Sequence, residues 1–193
     1  MFERIRRLKV RLHRLLPART AQRFIRHRKG TAAIEFAFIA VPFLALTFAI
    51  LETALVFFAG QTLETAVADA GRLIMTGQAQ NGGFSQDDFK KAVCGDVTSA
   101  VLDCNNIYLS VTNYSSFSAI NETPPVNNGQ FDATKMNYSP GGPCNIVAVQ
   151  VFYQWPIYVS LLGFNLSNLN GNYRLLAATA VFRNEPYGSI ACG

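Results

Sequence analysis

Phe36 to Leu51 reads FAFIAVPFLALTFAIL, 16 consecutive residues without a charge. Widening the window to Ala32–Ala59 adds only two charged residues, Glu35 and Glu52. At about 1.5 Å of rise per residue, a helix of about 20–28 residues crosses the roughly 30 Å of hydrocarbon in a bilayer. A buried core helix usually carries only about 10–14 apolar residues and no cationic block before them. The stretch therefore predicts a membrane-spanning helix. Pro42 falls inside it, where membrane helices tolerate a bend.

The flanks orient that helix. Residues 1–30 hold 11 Lys+Arg and one acid, whereas residues 31–193 hold six Lys+Arg and 11 acids. Arg23, Arg26, Arg28 and Lys29 abut the apolar run, and no basic residue follows until Arg72. The positive-inside rule keeps the N-terminus in the cytoplasm and sends residues from about 60 onward across the membrane. All four cysteines, Cys94, Cys104, Cys144 and Cys192, lie on the exported side, which suggests two disulfides. Three pairings are possible, and Cys94–Cys104 with Cys144–Cys192 is favoured. A removed secretory signal is the competing reading, with Ala68-Asp69-Ala70 as a small-x-small site. That site lies some 19 residues past Leu51, too far for an ordinary signal, and 30 residues is a long leader. Within the leader, Phe2, Ile5, Leu8, Leu12 and Leu15 recur at helical spacing among arginines, a pattern suited to an anionic membrane surface. Retention of positive charge inside already explains the basic block, and no nucleic-acid role is assigned to it.

Beyond the span, Leu63, Val67, Ala70 and Ile74 continue an i, i+3/i+4 stripe, until glycines at 77, 82 and 83 end it. This predicts one helix of about 45 residues from near Ala32, or two helices broken at Gly60. Ser85-Gln86-Asp87-Asp88 resembles a capping box opening a short helix, with Gly95 breaking it before a second turn through Val97, Val101 and Leu102. Ile107, Leu109 and Val111 alternate with Tyr108, Ser110 and Thr112, as in a strand. Residues 115–144 read as a long loop, Ile146–Trp155 as the best strand and Tyr173–Phe182 as a third. The expected fold is α+β: a single long N-terminal transmembrane helix packed on a small antiparallel sheet, with one or two short helices. The expected organisation is a basic cytoplasmic leader over 1–30, a transmembrane helix over 31–60, and an exported domain over 61–193 with the helix continuing to about 77.

Glu35 is the odd residue of the span, since a carboxylate at that depth must be neutralised, paired or held at the interface. Its neighbourhood runs Arg28-Lys29-Gly30-Thr31-Ala32-Ala33-Ile34-Glu35-Phe36. Here the chain resembles type IV prepilins and pseudopilins, whose basic leader ends in a glycine and whose mature chain carries glutamate at its fifth position. The resemblance implies cleavage by a prepilin peptidase between Gly30 and Thr31. It narrows to the TadE-like family of tight-adherence pilus assembly proteins. Gly30 to Ala37, Pro42 and the Ala66–Arg72 helix match that pattern, as does a terminal Arg183-Asn184-Glu185-Pro186-Tyr187 motif after the last strand. Residues 76–170 match nothing recognisable. The resemblance implies a pseudopilin-like structural or assembly component of a Tad/Flp pilus or related secretion system. Its implied partners are the prepilin peptidase, other pilus subunits and the lipid bilayer. The implied location is the inner (cytoplasmic) membrane, single-pass, with the C-terminal domain periplasmic or extracellular. Glu35-Phe36 and the sizeable exported domain fit a minor pilin better than the short major pilins. The alternative is an uncleaved single-span anchor presenting a periplasmic binding module.

Catalysis has little to work with. Both histidines, His13 and His27, are in the leader, so no Ser-His-Asp or Cys-His pair can form on the exported side. The sequence offers no phosphate-cradling loop, no Cys-x-x-Cys zinc pattern and no evident metal or cofactor site. Asp87/Asp88, Asp103 and Asp132 are the remaining acids of interest, and adjacent acids at a helix start usually serve as caps. The reading is therefore non-enzymatic. Tyr153, Trp155, Tyr158 and Phe164 cluster in sequence, as core packing or as an aromatic rim. Arg183 and Glu185 read as an end-of-strand ion pair and turn, and Glu52 as a residue reaching the far membrane interface.

Overall fold

Helix α1 runs from Lys29 to Met75, 47 residues, with Pro42 inside it and no break at Gly60. A lone glycine weakens a helix by only about 1 kcal/mol, which the flanking apolar side chains outweigh. The computed structural model describes residues 29–159, 165–188 and 191–192. The leader stripe and Phe164 lie outside them. The chain divides into two units, Met1–Thr47 and Phe48–Gly193.

In the first unit the described residues are the opening turns of α1. Their large apolar side chains, from Ile34 through Phe36, Phe38, Ile39, Val41 and Phe43 to Leu46, are all exposed. The most apolar stretch of the helix is not buried at all, which sets it apart from the core helix of a soluble protein. Length, composition and exposure together are those of a single-pass membrane anchor.

In the second unit α1 turns amphipathic. Val56, Ala59, Leu63, Val67, Ala70 and Ile74 are buried at i, i+3/i+4 spacing. They join one face of a three-stranded antiparallel sheet in a common core. The sheet order is β1 (Ile107–Tyr114), β4 (Ile146–Pro156) and β5 (Tyr173–Arg183), with β4 central. Register stacks Ile107, Tyr153 and Leu176 in one row, Leu109, Val151 and Ala178 in the next, then Val111, Val149 and Ala180. Each row presents one side chain per strand to the helix, because alternate residues share a face. Small residues on β5 let the helix come close. At Gly71 an added Cβ would lie 3.1 Å from the Phe182 ring.

The opposite face is covered by a hairpin within the segment read as loop. Strands β2 (Val126–Asn127) and β3 (Gln130–Phe131) pair across Asn128-Gly129. Both turn residues have positive φ, 50° and 75°, as a type I′ hairpin turn requires. The hairpin delivers Phe131 onto buried Phe152 and onto Tyr108, with ring centroids 5.4 and 5.1 Å apart.

Three short helices connect α1 to the sheet, one more than the upper expectation: α2 (Gln78–Asn81), α3 (Gln86–Val93) and α4 (Asp96–Val101). Ser85 and Asp88 form the capping box of α3, and Gly95 is the N-cap of α4. The fold is α+β, as the hydrophobic periods predicted.

Candidate functional site

Gly30, Thr31, Glu35 and Phe36 all lie in the first turns of α1 with exposed side chains. Thr31 and Glu35 are four residues apart and so share a helix face. Among the described residues Glu35 makes no hydrogen bond or ion pair, and no side chain approaches the Cα of Gly30. This end of the helix is presented to its surroundings.

Glu52 has the opposite fate. It is 6% exposed, well inside the protein. Its carboxylate accepts the backbone N–H of Tyr158 at 2.5 Å and that of Val159 at 3.0 and 2.9 Å. These donors follow the end of β4, where the ladder no longer supplies partners, so the carboxylate and the loop satisfy each other. Glu52 is thus a buried tie to the sheet, where the sequence suggested a residue reaching toward headgroups. The aromatic cluster splits at this point. Tyr153 is core, with Trp155 beside it at 6.3 Å between centroids, whereas Tyr158 is 82% exposed.

The terminal motif closes the other end of α1. Glu185 N–H donates to the carbonyl of Met75, the last residue of the helix, at 2.8 Å. Asn184, 1% exposed, donates through Nδ2 to the carbonyls of Pro140 at 3.0 Å and Gly142 at 2.9 Å. Gln80 Nε2 reaches the same Pro140 carbonyl at 3.1 Å. Arg183 Nε donates to the carbonyl of Cys144 at 3.0 Å. Tyr187 lays its ring over Gly77, whose φ of 78° ends the helical pattern. Burial pushes the Tyr187 phenol above its ordinary value of 10.0. Among the described residues the ion pairs are Asp88–Lys91 and Asp132–Lys135, and Arg183–Glu185 is not one of them. The motif works as a clasp made of backbone and amide hydrogen bonds, which a charge-based reading of its sequence overlooks.

Two disulfides brace the same unit. Cys94–Cys104 joins the end of α3 to the turn before β1, and Cys144–Cys192 joins the clasp loop to the C-terminal tail. Their sequence separations of 10 and 48 correspond, on a loop-closure basis, to about 2.7 and about 4 kcal/mol. The acids of this unit act as local caps. Asp88 bonds Ser85 and pairs with Lys91 at 3.1 Å. Asp103 accepts from Asn105 and Asn106, and Asp132 from Thr134. Hydrogen bonds from the Ser85 hydroxyl and then Lys91 hold the Asp88 carboxyl below its ordinary 3.8. Those from the Thr134 hydroxyl and backbone do the same for Asp132. Among the described residues no group of three or more His, Cys, Asp or Glu is placed to hold a metal ion.

Residues 30–72 match the family model described as TadE-like protein. The matched segment contains the exposed opening of α1, Glu35, Glu52 and most of the stripe that packs on the sheet. Searches of curated proteins and of solved structures find no match. The family match and the apolar helix fit a component associated with a Tad pilus.

Proposed function

We propose that this chain is a pseudopilin-like structural and assembly component of a tight-adherence pilus or related secretion system. In this reading it is processed between Gly30 and Thr31 and assembles through α1. The observation that carries the proposal is an apolar, fully exposed helix opening on Gly30 and Glu35 within the family-matched segment. Lipid is as apolar as these side chains, so burial from water does not drive such helices together. Close packing and pairing of polar groups do. Cleavage would leave an α-amino cation at Thr31, a partner for the Glu35 carboxylate of a neighbouring subunit. An unpaired charge at that depth costs several kcal/mol, so the pair would set the register between subunits. The basic block keeps the leader on the cytoplasmic side, where the prepilin peptidase acts. The disulfide-bonded unit then lies across the membrane.

The mass of the mature protein tests this. Processing predicts loss of residues 1–30 and a new N-terminal Thr31. A working, membrane-inserted protein that retains Met1 would overturn processing and leave the uncleaved anchor.

A further inference from the structure

The exposed side of α1 does not change character at Glu52. Leu55, Phe57 and Phe58 follow it and are each more than half exposed. The next exposed polar positions are Gln61, Glu64, Thr65 and Asp69. The boundary between apolar and polar surface therefore falls between Phe58 and Gln61. Glu52 lies six residues before Phe58, about 9 Å along the axis on the apolar side.

Whatever Glu52 grips is held at that level as well. A carboxylate there needs compensating donors, and two backbone N–H groups provide them. Those N–H groups, past the end of the β4 ladder, would be equally costly unpaired in an apolar medium. The tie leaves Tyr158 82% exposed while its backbone is held at Glu52, whose helix neighbours Leu51 and Leu55 are themselves exposed. An exposed tyrosine with an apolar body and a polar tip is suited to the zone between acyl chains and headgroups.

We propose that the connection after β4, at Ile157–Val159, is a second lipid contact of this protein. Glu52 holds it in the outer leaflet beside α1, and Tyr158 is its interfacial anchor. The occupant is lipid because the loop is tied to α1 at Glu52, within the stretch of helix whose exposed residues, Leu51, Leu55, Phe57 and Phe58, are apolar. The inference rests on reading α1 as a membrane span. Glu52 is a positioning residue here, acting through the loop that it ties.

All four native cysteines are in disulfides, so a single introduced cysteine can carry a nitroxide label. The full chain would be placed in phosphatidylethanolamine/phosphatidylglycerol vesicles as Tyr158→Cys, Phe57→Cys or Asn81→Cys. Each label's collision rates with oxygen, which partitions into lipid, and with a water-soluble nickel chelate would then be measured. The expected result is a lipid-type ratio at positions 57 and 158 and an aqueous ratio at 81. Adding Glu52→Ala should shift the label at 158 toward the aqueous ratio and leave 57 unchanged. A lipid-type label at 57 with an aqueous one at 158 overturns the inference and spares the membrane span. Aqueous labels at both positions refute the span itself. A label at 158 shielded from both reagents overturns lipid contact in favour of protein contact. Should Glu52→Ala fail to fold, judged by Trp155 emission, Glu52→Gln keeps one acceptor oxygen, and an unchanged label at 158 in that variant is the expected result. Movement of the 57 label together with the 158 label would show that Glu52 governs insertion of the helix and not the loop, against the proposal.

Discussion

Replacing Gly77 by alanine probes the clasp at a point where its geometry sets the magnitude. Gly77 sits at φ 78°, and a left-handed conformation costs an L-residue about 1–2 kcal/mol. An added Cβ would also lie 2.6, 2.7 and 2.8 Å from Cδ1, Cγ and Cε1 of the Tyr187 ring, too close for any real contact. The ring must then leave its seat, an overpacking penalty of about 1–3 kcal/mol. Gly77→Ala is therefore expected to destabilise the second unit by about 2–5 kcal/mol. In a Tyr187→Ala background only the backbone contribution survives, so the same substitution should cost about 1–2 kcal/mol. The two changes are thus coupled, each offsetting part of the other. Urea unfolding of the full chain in detergent micelles, followed through Trp155, the only tryptophan, reads this as a midpoint shift at constant slope. An equal cost for Gly77→Ala in both backgrounds would mean that Tyr187 does not rest on Gly77, and the clasp as described would be wrong.

The remaining expectations concern the same unit. Asn184→Ala should lose about 1–3 kcal/mol, since the Gly142 carbonyl forfeits its donor and the Pro140 carbonyl keeps only Gln80. Asn184→Asp should be worse still at neutral pH, because a carboxylate would face those carbonyls. That excess should shrink as acid protonates it, and a pH-independent difference in urea midpoint would contradict the assignment. Removing Cys144–Cys192 by paired serine substitution should lower the thermal midpoint more than removing Cys94–Cys104, given the longer loop; the reverse order in calorimetry would point to native-state effects outweighing chain entropy. Asp88 and Asp132 are depressed in the folded state. Their stabilising contribution is thus present above the ordinary 3.8 and is lost as pH falls through the lower folded values. Asp88→Asn with Asp132→Asn should flatten the acid limb of the stability profile below that pH, and an unchanged limb would place the acid sensitivity elsewhere.

How much of this was legible depended on whether the signal was periodic. The stripe from Leu63 to Ile74 and the alternations in β1 and β4 carry their partners in their spacing, so helix, strands and shared core could be read directly. The capping box at Ser85 was equally local. The β2–β3 hairpin escaped because its strands are two residues each, too short for a period. Asn128-Gly129 between Val126 and Phe131 was the available signal. The clasp escaped for a different reason. Asn184, Pro140 and Gln80 meet only once β4 and β5 are paired and α1 has ended, and sequence proximity of Arg183 to Glu185 suggested an ion pair instead. Backbone carbonyls have no residue signature, so a motif that binds them reads as charged decoration.

Glu35 and Glu52 show the same limit with consequences for function. Both are single acids flanking one apolar run; the basic block and Gly30 before Glu35 set it apart in the sequence, but nothing there tells which of the two finds partners within the molecule. The distinction comes from chain returning in space. Glu52 meets two N–H groups from residues more than a hundred positions away, so its charge is satisfied within the molecule. Glu35 sits on a turn that no described part of the chain approaches. A carboxylate in an apolar run with no partner among the described residues draws one from elsewhere, from the leader, water, headgroups or another subunit. That asymmetry supports assigning intermolecular pairing to Glu35 and an intramolecular tie to Glu52. It also separates their substitutions: Glu52→Ala should disturb the monomer's loop, whereas Glu35→Gln should leave the monomer's stability intact and weaken crosslinking between neighbouring subunits in the membrane. Loss of monomer stability in Glu35→Gln, or crosslinking as strong as in the unaltered chain, would remove the distinction.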